Sequence, residues 1–299
     1  MMGAIRASGP ARVRRACWTL LALSFLALVP LQQGVDRRMK AQGQSEESLY
    51  LPSGPLLRRL CLGHEGLVAD IYWTRAVQYF GRKRIDRATE FGLLGPLLRI
   101  TTELDPNLIV AYRFGAIFLA EKAPGGAARP DEALQLLRRG IVANPSYWRL
   151  WQDVGFIYYW DLKDYPRAAC AFSVGSRQPG AYLWMKALAA SVAAEGGAIA
   201  TSRLLWLEIY NQAETESMRL NAAEHLRAIE AREEMDQLNA LLKTYKESAD
   251  RPAQTFRDLV QAGILRGLPG DPSGVPYIVG ADGRTALGPG SRVDLALLQ

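Results

Sequence analysis

The chain has 299 residues, 49% hydrophobic and 22% charged, a globular composition that excludes a disordered or low-complexity polymer. Its formal net charge of +6 sits in residues 1–40, which hold seven basic residues and one acid; the remainder carries 29 of each sign. Nucleic-acid binding needs a basic face that neutralises phosphates, so a neutral body weighs against it, with only Arg82-Lys83-Arg84 as a local exception.

In chain order, residues 1–15 form a basic leader ending in Arg12, Arg14 and Arg15. Residues Ala16 to Leu31 carry no charge. A positive flank before an apolar run is the pattern of an export signal. The exit from the run lacks a small-x-small cleavage site, and Cys17 opens the run instead of following it. The expectation is an uncleaved signal-anchor over residues 16–31. Sixteen residues rise ~24 Å against a ~30 Å hydrocarbon core, a shortfall that snorkelling arginines and an interfacial Trp18 can cover. The expected place is the inner membrane of a bacterium, crossed once, with the body on the periplasmic side.

Residues 32–66 read as a polar linker followed by a short helix, Leu56 to Leu62, with Ser53 as its candidate cap. From residue 67 to 246 the chain reads as consecutive amphipathic helices separated by Pro, Gly or Asn-Pro. A period appears in them. Trp151-x-x-Val154-Gly155-x-x-Tyr158 is followed by Ala168-x-x-x-Phe172-x-x-Gly175 and closed by Pro179. One unit earlier stand Tyr112 and Ala116, then Ala133-x-x-x-Leu137-x-x-Gly140, closed by Pro145. Before that, Trp73 and Phe80 keep the same spacing, with Leu94, Leu98 and Pro106 completing the unit. The closing prolines fall 39 and 34 residues apart. A degenerate fourth unit holds Trp184, Ala187 and a Gly196-Gly197 turn, and two helices, Thr215–Ala231 and Met235–Lys246, are expected to cap the stack.

This pattern resembles the tetratricopeptide repeat, W-x₂-L-G-x₂-Y…A-x₃-F…P over ~34 residues. The resemblance covers residues 67–246 and is concentrated in 108–179. It implies an all-α fold, a right-handed superhelix of antiparallel helix pairs, with the N-terminal transmembrane helix added. Small letters (Ala133, Gly155, Ala168) mark the contact between paired helices. Trp73, Tyr112, Trp151, Tyr158, Phe172 and Trp184 fill the space beside it. The resemblance also implies a concave face lined by the first helix of each pair. Carried over position by position, that face holds Thr74, Gln78 and Arg82, then Arg113, Ile117 and Glu121. Arg149, Gln152, Phe156, Tyr159 and Trp160 follow, then Tyr182 and Met185. Aromatic and arginine side chains are the composition of interface hot spots, and the competing reading of Tyr159 and Trp160 is ordinary packing.

Residues 247–299 change character. Phe256 to Leu265 reads as a short amphipathic helix, and residues 271–279 and 284–287 as a small β-hairpin about Asp282-Gly283. The string Asp271-Pro-Ser-Gly-Val-Pro-Tyr277 resembles the C-terminal loop of type II secretion major pseudopilins. Calcium held by Asp271 and Asp282 competes there with plain turn chemistry.

The cysteines (17, 61, 170) and histidines (64, 225) form no cluster with metal-ligand spacing, so no metal and no cofactor is expected. No nucleophile elbow, phosphate loop or Cys/His pair is present. The expectation is a non-catalytic scaffold whose concave groove binds a peptide or protein, in envelope assembly or secretion. The alternative is a structural subunit of a membrane complex using its convex face and C-terminal hairpin. An envelope enzyme is the remote third reading.

Overall fold

The computed structural model describes residues 53–298, together with Trp18, Thr19, Ser24 and Pro30 in helical conformation. The anchor expected over residues 16–31 and most of the linker lie outside the described residues. Among the described residues no helix is long and apolar enough to cross a membrane.

Residues 53–298 form eleven α-helices and one small sheet. The helices are α1 (Gly54–Leu60), α2 (Glu65–Ile85), α3 (Leu94–Leu104), α4 (Ile109–Ala120), α5 (Pro130–Ala143) and α6 (Trp148–Phe156). A π turn, Ile157–Asp161, extends α6. Then come α7 (Tyr165–Ser176), α8 (Trp184–Glu195), α9 (Ile199–Gln212), α10 (Glu216–Ala249) and α11 (Phe256–Gln261). Local chemistry sets several starts. Pro130 opens α5, where its fixed φ suits the helix and its missing N–H is no loss. Asp164 accepts the Arg167 amide at 3.1 Å to cap α7, and Thr215 does the same for Met218 on α10. Thr255 and Asp258 form a reciprocal capping box on α11.

Consecutive helices pack in pairs: α2 on α3, α4 on α5, α6 on α7, α8 on α9. Like helices of successive pairs also touch, α4 with α6 and α3 with α5. This is repeat-like packing, and small residues permit it. In the second pair a Cβ on Gly140 of α5 would stand 2.8 Å from the Tyr112 ring of α4. In the third, a Cβ on Gly175 of α7 would stand 2.7 Å from Cβ of Trp151 on α6, and one on Gly155 would run into the Phe172 ring. The same letters thus meet at the same place in both pairs. Asn144 adds a hinge staple, donating from Nδ2 to the Pro106 carbonyl at 2.9 Å and so joining two successive closing turns.

The ending departs from expectation. In place of two capping helices, α10 runs unbroken for 34 residues. The stretch Arg232-Glu233-Glu234 between them holds only good helix formers, and Arg232 pairs with Asp236 one turn on at 3.5 Å. The helix also has two partners along its length. Ala222 and Ile229 belong to the core of the stack, whereas Leu238, Leu242 and Tyr245 pack with Phe256, Leu259 and Tyr277. Helix α11 is shorter than expected because Gly263, at φ 73°, turns the chain so that Ile264 N–H reaches back to the Leu259 carbonyl.

The hairpin is present, with Ile278–Val279 (β1) antiparallel to Thr285–Ala286 (β2) about the Asp282-Gly283 turn. It is fastened to α10: Tyr277 donates its hydroxyl to Glu234 at 2.7 Å, and the Thr285 amide donates to Asn239 Oδ1 at 2.7 Å. Asp271 is 5% exposed, and its Oδ1 accepts from the Ser273 amide and hydroxyl and from the Val275 amide at 2.7–2.9 Å. Its other oxygen accepts from Ser291. Turn chemistry therefore accounts for this carboxylate. Among the described residues, no group of three or more His, Cys, Asp or Glu is arranged to hold a metal. Cys61 and Cys170 are free thiols.

Gly155→Leu should destabilise the fold by about 1–3 kcal/mol, because the new side chain must displace the buried Phe172 ring. Thermal unfolding of the purified protein measures this, and a Leu variant melting at or above wild type would refute the contact.

His225 of α10 is 8% exposed and lies parallel to Trp206 of α9, ring centroids 3.8 Å apart, with no partner on Nδ1. Burial pushes its pKa below the usual value, against a smaller opposing pull from Glu224. The unfolded chain thus binds this proton more readily than the folded one. The neutral His225 favours folding fully above about pH 6.5, and that advantage fades as pH falls through this value and levels off below the folded pKa. The melting temperature should drop between about pH 7.5 and pH 5.5. His225→Phe, which keeps the stack, should flatten that dependence.

Candidate binding face

The first helices leave apolar surface uncovered. Ile71 and Val77 on α2, Phe114 and Ile117 on α4, Trp160 in the π turn and Tyr182 and Trp184 before and on α8 are all exposed. Of the second helices, α3 and α7 expose no large apolar residue and α5 only Val142, although α9 exposes Leu204, Leu207 and Tyr210. Contiguous uncovered apolar surface on a helical stack is the mark of a contact face.

The centre of this face is organised by one ion pair. Arg113 of α4 donates to Asp153 of α6 through Nε at 2.6 Å and a terminal nitrogen at 3.1 Å. The fork geometry fixes both helices in register across adjacent pairs. Burial pushes the Asp153 carboxyl up, and the guanidinium pulls it back; the same pair holds Arg113 above its ordinary value.

Beside it, Ala116, Ile117 and Ala120 of α4 face Phe156, Ile157 and Trp160 across a cavity of about 280 Å³. Trp160 stacks flat on Phe156, centroids 4.4 Å apart and planes 6° apart, while staying 56% exposed. Phe156 in turn meets Phe172 edge-on at 5.1 Å. Glu121, Asp153 and Asp161 supply the cavity's acids. Burial raises the Asp161 pKa, with Lys122 opposing and the neighbouring Glu121 charge adding to the rise. The arrangement offers an apolar slot with an exposed indole and an acidic border.

The π turn is what aims these rings. The Leu162 amide returns to the Ile157 carbonyl, five residues back, at 3.1 Å. Widened turns of this kind recur where helices carry function. The turn also sends Tyr159 toward α8, where its hydroxyl donates to Glu195 at 2.8 Å, while its ring meets Tyr165 at the start of α7 edge-on.

The expected groove residues therefore fall into separate groups. Phe156 and Trp160 meet at the cavity, together with Ile117 and Glu121, and Arg113 holds its lining acid Asp153. Arg149 lies 4.4 Å above the buried Trp148, against which Tyr182 and Trp184 stand edge-on at 5.4 and 6.1 Å. Gln152 is half-buried on α6, and Thr74, Gln78 and Arg82 are exposed on α2. Tyr159 serves the junction with α8. One assignment is corrected. Met185 is fully buried, with its side chain against Gly175, so it packs instead of lining the face. Trp184, expected as packing, stands edge-on to Trp148 and stays 45% exposed. The other packing letters are interior: Tyr112, Ala133, Gly155, Tyr158, Ala168 and Phe172 are buried, Trp73 and Trp151 half-buried.

Asp153 escaped the sequence reading. Its signal is the one acid of α6, two positions after Trp151, matched by an arginine one position after Tyr112 in the preceding unit. No family model matches the sequence, and no curated protein matches it.

Replacing Arg113 with Ala strands the buried Asp153 carboxylate and should lower stability by roughly 2–3 kcal/mol. The double variant Arg113→Ala/Asp153→Asn should recover part of the loss. Chemical denaturation of the three proteins reads the difference, and equal stability of wild type and single variant would remove the pair from the account.

Proposed function

We propose that the chain is a non-catalytic scaffold of tetratricopeptide type that binds a peptide or protein segment along its first-helix face. The observation that carries this reading is the cavity between α4 and α6, where Trp160 is stacked on Phe156 yet half open to solvent. A large aromatic held rigid before binding contributes contact area with little loss of freedom, the usual property of an interface anchor. Two exposed aromatics, Tyr182 and Trp184, extend the apolar surface around Trp148 toward the fourth pair. The repeat letters of residues 108–179 support the family, because their spacing and their contacts agree in two successive units.

The arginine-flanked run over residues 16–31 supports attachment to a bacterial inner membrane with the body outside. A role in envelope assembly or secretion, without nucleic acid or cofactor, is the corresponding place of action.

Trp160→Ala should weaken the partner by about 2 kcal/mol or more while leaving the melting curve near wild type, since the indole is half exposed. Crosslinking in native membranes followed by affinity capture of wild type and variant identifies the partner and measures the loss. Retained capture with an unchanged melt would move the interface off this face.

A further inference from the structure

The second helices of the first two pairs, α3 and α5, border a cleft of about 480 Å³ that shares no lining residue with the slot beside Trp160. Arg99 of α3, Arg129 just before α5, and Arg138 and Arg139 of α5 all line it, against one acid, Glu132. This concentration stands out because the chain beyond residue 40 is neutral. Elsewhere in the body Arg84, Arg113, Arg167, Arg203, Arg219 and Arg232 are paired with acids. Here only Arg129 has a carboxylate, Glu132 at 3.6 Å, and no ion pair holds Arg99, Arg138 or Arg139 among the described residues.

Partial burial lowers the Arg139 pKa, and the neighbouring Arg99 charge lowers it further, against smaller opposing pulls from Tyr112 and Glu103. Guanidiniums are the side chains suited to oxyanions, since their planar donors engage two oxygens at once. A cavity of this size exceeds what one small ion needs and falls in the range of small-molecule sites. Leu98, Leu119 and Leu136 add an apolar wall.

We propose that this cleft is an anion site that takes the diphosphate or polyphosphate group of a small soluble ligand. Its position on the second helices makes it separate from the first-helix face, so both can be filled together. Glu132 is the built-in opponent of binding: it occupies the cleft, reaches over Gly95 at the start of α3 and pairs Arg129.

Inorganic diphosphate is the probe, titrated calorimetrically into the purified full chain at low and high salt. Saturable binding that weakens with salt is expected, and Arg99→Gln/Arg139→Gln should weaken it by about tenfold or more, as loss of two charge-assisted contacts requires. Glu132→Gln should tighten it. Arg99 and Arg139 lie at the surface, and melting curves without diphosphate verify that the variants fold. Absence of saturable binding, or binding unchanged in the double variant, overturns the proposal. So does binding that hexaglutamate peptide displaces as well as diphosphate does, which would reveal an acidic-protein surface. Sedimentation with phosphatidylglycerol vesicles in an arginine-dependent way, without diphosphate binding, overturns it in favour of membrane contact.

Discussion

Paired helices in this chain approach until a ring lies on a glycine, and that spacing governs what the surfaces between and beside them can do. Tyr112 covers Gly140, Trp151 lies against Gly175, and Phe172 fills the space that any side chain on Gly155 would claim. Glycine inside a helix is unfavourable by about 1 kcal/mol relative to alanine, so three such positions persist only where contact returns more than that. Close approach within pairs fixes the lateral spacing of α4 and α6, and that spacing is what lets Arg113 reach Asp153 with both nitrogens. The ion pair then holds open the slot beside it, since neither partner can collapse into the apolar space without losing the other.

The two faces of the stack divide chemical labour. On the first-helix side, the Arg113–Asp153 pair meets its charge internally, and beside it an apolar and aromatic slot stays open with acids at its border. On the second-helix side, α3 and α5 are covered by leucines inward and carry arginines outward, three of them unpaired. A repeat stack can separate functions this way because each helix contributes one stripe to the shared core and leaves the other free. Mutations on one face should then act nearly independently of the other, as distant sites generally do.

Legibility followed the range of the interaction. The repeat letters were readable because each reports a contact within one helix pair, where sequence spacing and spatial spacing coincide. The Asp282-Gly283 hairpin was readable for the same reason: Asp282 accepts the Arg284 amide at 3.0 Å and Gly283 supplies the positive φ. The single helix α10 was not readable, because Arg232-Glu233-Glu234 looks like a polar connection until its neighbours are known. Its continuity comes from two separate cores along its length. The π turn left no signal beyond an aromatic run, and the loss of the repeat pattern in the fourth unit hid the burial of Met185.

The C-terminal segment follows a different rule from the stack it closes. Its strands are two residues each, too short to stand alone, and its order is imposed by α10 through Tyr277, Asn239 and the saturated Asp271. Burial pushes the Tyr277 pKa upward, and its hydrogen bond to Glu234 pushes it further, so the phenol remains a donor throughout the physiological range. Leu287, Leu295, Leu297 and Leu298 pack around Ala228, Ala231 and Val293, covering the middle of α10, the surface a further repeat would otherwise occupy. A helical stack must end on something that covers its last apolar stripe. Here the cap is a stapled hairpin and a closing 3-10 turn, Leu295–Leu298, so the end of the stack is held by polar staples on α10 as well as by the leucines packed on it.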